Sequence, residues 1–178
     1  MKKLYMILSS ALILCFLVGC QDEEAMKELE QFKAQADVER QNKEIVLRLY
    51  DEIDKQNINA AIEIWAPDAR IYTNGGFEPR KPENFKPLFS IAFVAFPDLA
   101  PSIEDVIAKG DKVTARMIIT GTHKGKVMGY PPTGNTIKYL AIHTHTIKDG
   151  KIVESWLLED SLFMNRQIGM ELKPKKGE

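Results

Sequence analysis

The spacing of apolar residues changes period once along this chain, and that change limits the folds open to it. Up to Phe96 the apolar residues recur at helical spacing, and from Ser102 onward they alternate. Ile45, Val46, Leu49, Tyr50 and Ile53 follow the i, i+3, i+4, i+7, i+8 rule, which predicts an amphipathic helix from Asn42 to near Gln56. Asn59 is placed to cap a second short helix carrying Ile62 and Trp65 and stopped by Pro67. Ala69 to Thr73 reads as a short strand, followed by a Gly75-Gly76 turn and a loop holding Pro79 and Pro82. Phe85 to Phe96 reads as a third helix, ended by Pro97-Asp98.

The strands follow. Ser102 to Ala108, Val113 to Thr122, Thr136 to Ile147 and Ile152 to Glu159 each alternate, with Gly110-Asp111 and Asp149-Gly150 as tight turns between them. The stretch Lys124 to Gly134, rich in glycine and proline, reads as an irregular loop, and Leu162 to Ile168 as a last short helix. Helices first and antiparallel strands afterwards give an α+β class, with the helices on one face of a curved antiparallel sheet.

The N-terminus reads as an address. Met1-Lys2-Lys3 is basic, and Leu4 to Val18 is an apolar run too short for a comfortable bilayer span, as in a secretory signal peptide. It ends in Leu17-Val18-Gly19-Cys20, which resembles the bacterial lipobox, so Cys20 is expected to be the lipidated first residue of a membrane-anchored protein of the cell envelope, periplasmic or surface-exposed. The expected organisation is a signal peptide over 1–19, an acidic helical leader over 20–41, one domain over 42–170 and a charged tail over 171–178. Cys15 and Cys20 are the only cysteines, so the domain has neither a disulfide nor a thiolate site. Lys2 and Lys3 leave with the signal peptide, so 22 of the 24 basic residues face 25 acidic ones. Without a basic patch, nucleic acid is excluded as an expected partner.

Asp149-Gly150 is the strongest local signal, because a two-residue type I′ turn needs positive φ at both positions. Taken as that turn, it predicts Ile147 opposite Ile152, His145 opposite Glu154, His143 opposite Trp156, and Tyr139 across from Asp160. All of these would share one face, with Leu140, Ile142, Val153, Ser155 and Leu157 on the other. Such a mixture suits neither a plain core nor a plain solvent face, and it predicts a concave, largely apolar pocket with convergent polar groups. Imidazole and carboxylate brought together there can act as general acid and base. A cross-strand polar pair on a wet face is the alternative for His145 and Glu154. Two imidazoles at i, i+2 opposite a carboxylate, with His123 as a further nitrogen, also permit a two-His-one-carboxylate metal site. The spacing is not diagnostic, and no metal or cofactor is assigned.

Several motifs in order carry a family resemblance. They are Phe96-Pro97-Asp98, Gly110-Asp111-Lys112-Val113, Gly121-Thr122-His123-Lys124-Gly125, Met128-Gly129-Tyr130-Pro131-Pro132-Thr133-Gly134, Asp149 to Trp156, Asp160, and Gln167-Ile168-Gly169. Together they resemble the SnoaL-like polyketide cyclase family, often labelled ester cyclase, of the nuclear transport factor 2-like superfamily. The resemblance implies a cone of N-terminal helices on a curved sheet enclosing one pocket, with dimerisation through the outer sheet face, where Leu140, Ile142, Val153 and Leu157 would sit. It implies ring closure by intramolecular aldol condensation without a cofactor, Asp160 as acid/base, and His143 or His145 polarising the substrate carbonyl. Trp156, Tyr139, Glu154 and His123 would then line the ligand site. Ile168 departs from the usual leucine of the Gln-Leu-Gly ending. The expected function is therefore acid/base chemistry on a small apolar carbonyl compound. The alternative is a non-catalytic lipoprotein that binds such a molecule in the same pocket.

Overall fold

The computed structural model of the chain describes residues 23–171 in full. The expected signal peptide, the lipidation site Cys20 and the tail after Glu171 lie outside the described residues. Two compact units are present, Met1–Val38 and Glu39–Glu178. In the first, the residues from Glu23 to Val38 belong to α1 (Lys2–Asp54) and are exposed, Leu29 and Phe32 included. Among the described residues no helix is long and apolar enough to cross a membrane.

In the second unit α1 buries Val46, Leu49 and Tyr50 on one face, as their helical spacing requires. The helix α2 (Ile58–Ile64) follows, with Asn57 rather than Asn59 at its N-cap and no side-chain capping bond. Trp65 is not its last residue but the first of β1 (Trp65–Thr73). Pro67 therefore sits inside a strand. That is tolerated because β1 lies at one edge of the five-stranded sheet and its register breaks between Trp65 and Arg70. After a short 3-10 turn, α3 (Phe85–Ala95) leads into β2 (Ala100–Lys109), β3 (Lys112–Thr122), β4 (Thr136–Lys148), β5 (Lys151–Glu159) and α4 (Ser161–Gln167).

The strand order is β1-β5-β4-β3-β2. All neighbours are antiparallel except β1 and β5, which are parallel, so the sheet is mixed at that edge. A parallel pair needs a long crossover, and the intervening helix and hairpins supply it. Along β4 the alternation is complete: Ile137, Tyr139, Ala141, His143, His145 and Ile147 are buried, and none of the residues between them is. Beside them on the same face of the sheet lie Val113, Ala115, Met117 and Ile119 of β3, and the buried residues of α1 belong to the same core.

The β4–β5 hairpin turns at Asp149-Gly150, with φ of 51° and 73°, as a type I′ turn demands. Lys148 pairs with Lys151 and Ile147 with Ile152, but the next pair is Thr146 with Glu154. Val153 is thus an extra residue, a β-bulge, and it reverses the faces of everything after it in β5. His145 stands opposite Ser155, His143 opposite Leu157, and Ala141 opposite Glu159. The expected pairing of His145 with Glu154, and of His143 with Trp156, is corrected by that one residue.

Candidate active site

Helices α1 and α3 and the inner face of the sheet enclose a cavity of about 520 Å³. Its walls are mostly apolar, with Leu49 and Ile53 from α1, Phe85 and Phe89 from α3, and Met117 and Leu157 from the sheet. A polar cluster is set into this apolar lining: Tyr50 from α1, Tyr139, His143 and His145 from β4, and Glu159 from the end of β5.

The cluster is a continuous chain of short contacts. The Trp65 indole Nε1 donates to Ser155 Oγ at 2.9 Å, and Ser155 Oγ is 2.8 Å from His145 Nδ1. His145 Nε2 lies 2.8 Å from the Tyr50 hydroxyl, which is in turn 3.0 Å from His143 Nδ1. His143 Nε2 makes no hydrogen bond among the described residues but lies 3.5 Å from Glu159 Oε1. Buried polar groups with fixed partners hold one arrangement, because a lost partner leaves a desolvated donor or acceptor behind.

Electrostatics follow from burial. The His145 imidazole is pushed down to about 3, first by burial and then by the neighbouring His143, so it is neutral. Burial, and then the negative charge of Glu159, hold the Tyr50 hydroxyl well above its ordinary value. The Tyr139 hydroxyl is raised by burial first, then by the charge of Glu159 and a hydrogen bond to it. Both phenols therefore keep their protons and can only act as neutral hydrogen-bonding groups.

Of the residues expected at the site, His143, His145 and Tyr139 meet in this cavity. The others do not. Asp160 lies in a separate groove on the outer face of the sheet with Lys138, Leu140 and Phe163, and its carboxylate accepts from Phe163 N at 3.0 Å as the N-cap of α4. Trp156 is 42% exposed and stacks on Tyr72, ring centroids 4.0 Å apart, with its Nε1 donating to Glu154. Glu154 pairs with Arg70 at 2.6 Å away from the cavity. His123 is wholly buried in the loop after β3, where Thr133 N and the Thr133 hydroxyl meet its Nδ1 and its ring lies against Phe96. It does not join the other histidines, which removes it from the ligand set and from any shared metal site. Leu157, expected on the outer face, lines the cavity instead.

Glu159 is the residue that sequence reasoning missed. Its strand position depends on the bulge at Val153, which has neither a glycine nor a proline to betray it. Asn74, held at φ 49°, fixes the strand end by accepting from Glu159 N at 3.0 Å and donating to Ser161.

The SnoaL-like polyketide cyclase family matches residues 44–168, which include every residue lining the cavity. The chain belongs to this family. Solved structures agree with its fold. IdmH of Streptomyces antibioticus, with a provisional polyketide-cyclase assignment, shares 29% identity over 72% of this chain and 99% of its own, at a TM-score of 0.65. A SnoaL-like protein of Jannaschia sp. CCS1 shares 27% over 76% of this chain and 96% of its own, at 0.67. AclR of Streptomyces galilaeus, provisionally a hydroxylase, shares 25% over 77% and 87%, at 0.69. No curated protein matches the chain.

Proposed function

We propose that this SnoaL-like protein performs cofactor-independent acid/base chemistry on a small, largely apolar carbonyl compound held in the cavity. The observation that carries the reading is the Glu159 carboxylate 3.5 Å from His143 Nε2, with no hydrogen bond between them, inside an apolar enclosure. A substrate carbonyl oxygen seated at His143 Nε2–H has its α-carbon proton within reach of Glu159. Glu159 takes that proton, and His143 stabilises the enolate oxygen by hydrogen bonding. The enolate carbon then attacks a second carbonyl of the same molecule, and the protonated Glu159 returns its proton to the new alkoxide. Membership of a cyclase family supports a ring-closing reaction of this type.

The test is proton exchange, which needs no knowledge of the natural substrate. Wild-type protein in D2O is expected to accelerate deuterium uptake at the α-carbon of α-tetralone, followed by NMR. Glu159→Gln is expected to lower that rate by about 10²–10⁴ while binding persists. Unchanged exchange in the variant would refute the role of Glu159. Binding by wild type without accelerated exchange would favour the non-catalytic binder instead.

We further propose that the chain is exported and anchored through a lipid on Cys20, supported by the charged start, short apolar run and Gly19-Cys20 ending. Cys20→Ala should abolish incorporation of labelled fatty acid; retained label would rule the anchor out.

A further inference from the structure

The buried chain from Trp65 to His143 has a direction. An indole N–H can only donate, so Trp65 occupies an acceptor position on Ser155 Oγ. Among the described residues the hydroxyl proton of Ser155 then has one acceptor, His145 Nδ1. A neutral imidazole that accepts at Nδ1 carries its proton at Nε2, and His145 Nε2–H donates to the Tyr50 oxygen. Tyr50 has a single proton, which passes to His143 Nδ1. His143 is left with its proton on Nε2, the nitrogen 3.5 Å from Glu159 Oε1.

We propose that Ser155 sets the direction of this hydrogen-bond chain and so fixes the proton of His143 on Nε2. It is a positioning residue for the group that polarises the substrate carbonyl. Run the other way, both rings would carry protons at Nδ1. The Ser155 hydroxyl proton would then be buried without an acceptor, and a bare lone pair of His143 would face the Glu159 carboxylate. Ser155 and His145 are each wholly buried, and Trp65, Tyr50 and His143 nearly so, so no solvent competes for these contacts. One consequence is a division of labour, with His143 as donor and Glu159 as the proton-transferring group. This deepens the function proposed above and rests on it for its catalytic meaning. The tautomers themselves are properties of the unliganded protein.

Histidine tautomers are read by 15N NMR, because protonated and bare ring nitrogens resonate far apart. In the full-length wild-type chain at neutral pH, His143 and His145 should each show a protonated Nε2 and a bare Nδ1. Ser155→Ala should remove that preference, moving the Nε2 signals of both rings part-way toward the bare position. Ser155→Thr, which keeps the hydroxyl, should restore the wild-type pattern. Trp65→Phe should leave both rings protonated at Nε2, since it removes only a donor to Ser155 Oγ and leaves the hydroxyl proton with His145 Nδ1 as its acceptor. A wild-type spectrum with the proton of His143 on Nδ1 would overturn the proposal. A folded Ser155→Ala protein with unchanged tautomers would do the same. Should Ser155→Ala fail to fold, the wild-type spectrum and the unchanged Trp65→Phe tautomers decide the matter. None of these readings uses turnover, so they separate this inference from the proposed reaction.

Discussion

Acidification is expected to destabilise this protein through one buried ring. His145 is pushed down to about 3 in the folded chain, against an ordinary 6.5, because burial and His143 disfavour its charged form. Between those values the unfolded chain binds a proton that the folded chain refuses. The contribution of His145 is therefore fully present above pH 6.5 and is lost as pH falls toward 3. The slope approaches about 1.4 kcal/mol per pH unit below the ordinary value, so moving from pH 6.5 to 4.5 removes roughly 2 kcal/mol. His145 is wholly buried, so solvent screening does not discount this figure. Urea unfolding at a series of pH values gives the stability curve, and the same series on His145→Gln subtracts every other titrating group. The variant should start less stable at neutral pH yet lose less on acidification. Parallel curves for the two proteins would refute the assignment of a neutral, chain-bound imidazole at this position.

Two further outcomes follow from the geometry. Asp160→Ala should cost about 1 kcal/mol of stability through loss of the α4 cap while leaving α-tetralone exchange unchanged, and Asp160→Asn should keep both; exchange lost in Asp160→Asn would return Asp160 to the reaction. Gly125→Ala should lower the melting temperature sharply. A Cβ there collides with the Val94 carbonyl, just where Lys124 N and Gly125 N close the end of α3 on Ala95 O; a wild-type melt would show that this joint can shift.

Much of the domain was legible in the order of apolar residues. The period of two along Thr136 to Ile147 placed Tyr139, His143 and His145 on one face, and the structure turns that face inward. What alternation cannot reveal is a slip of one residue, since a bulge costs little and Val153 is as good a strand residue as its neighbours. Glu154, Trp156 and Asp160 were misplaced together for that one reason, and Glu159 was overlooked. The early end of α2 has a similar origin. Trp65 fits a helical stripe, but its indole reaches Ser155, ninety positions away, and long-range contacts of that kind override local propensity. Pro67 reads as a stop signal only until the strand carrying it is known to lie at an edge.

The bulge also makes the chemistry of this wall depend on a count rather than on a residue type. Taking Val153 into the ladder opposite Thr146 would move the rest of β5 along by one position, sending Glu159 outward and offering Trp156, Glu154 and Asp160 to the interior. Closing the bulge without losing its residue thus exchanges a whole set of wall groups without altering any of them. Two glutamates, an aspartate and a tryptophan already stand ready on either side of the ribbon. Diversification among such proteins has a route through strand register that comparing residues column by column would overlook.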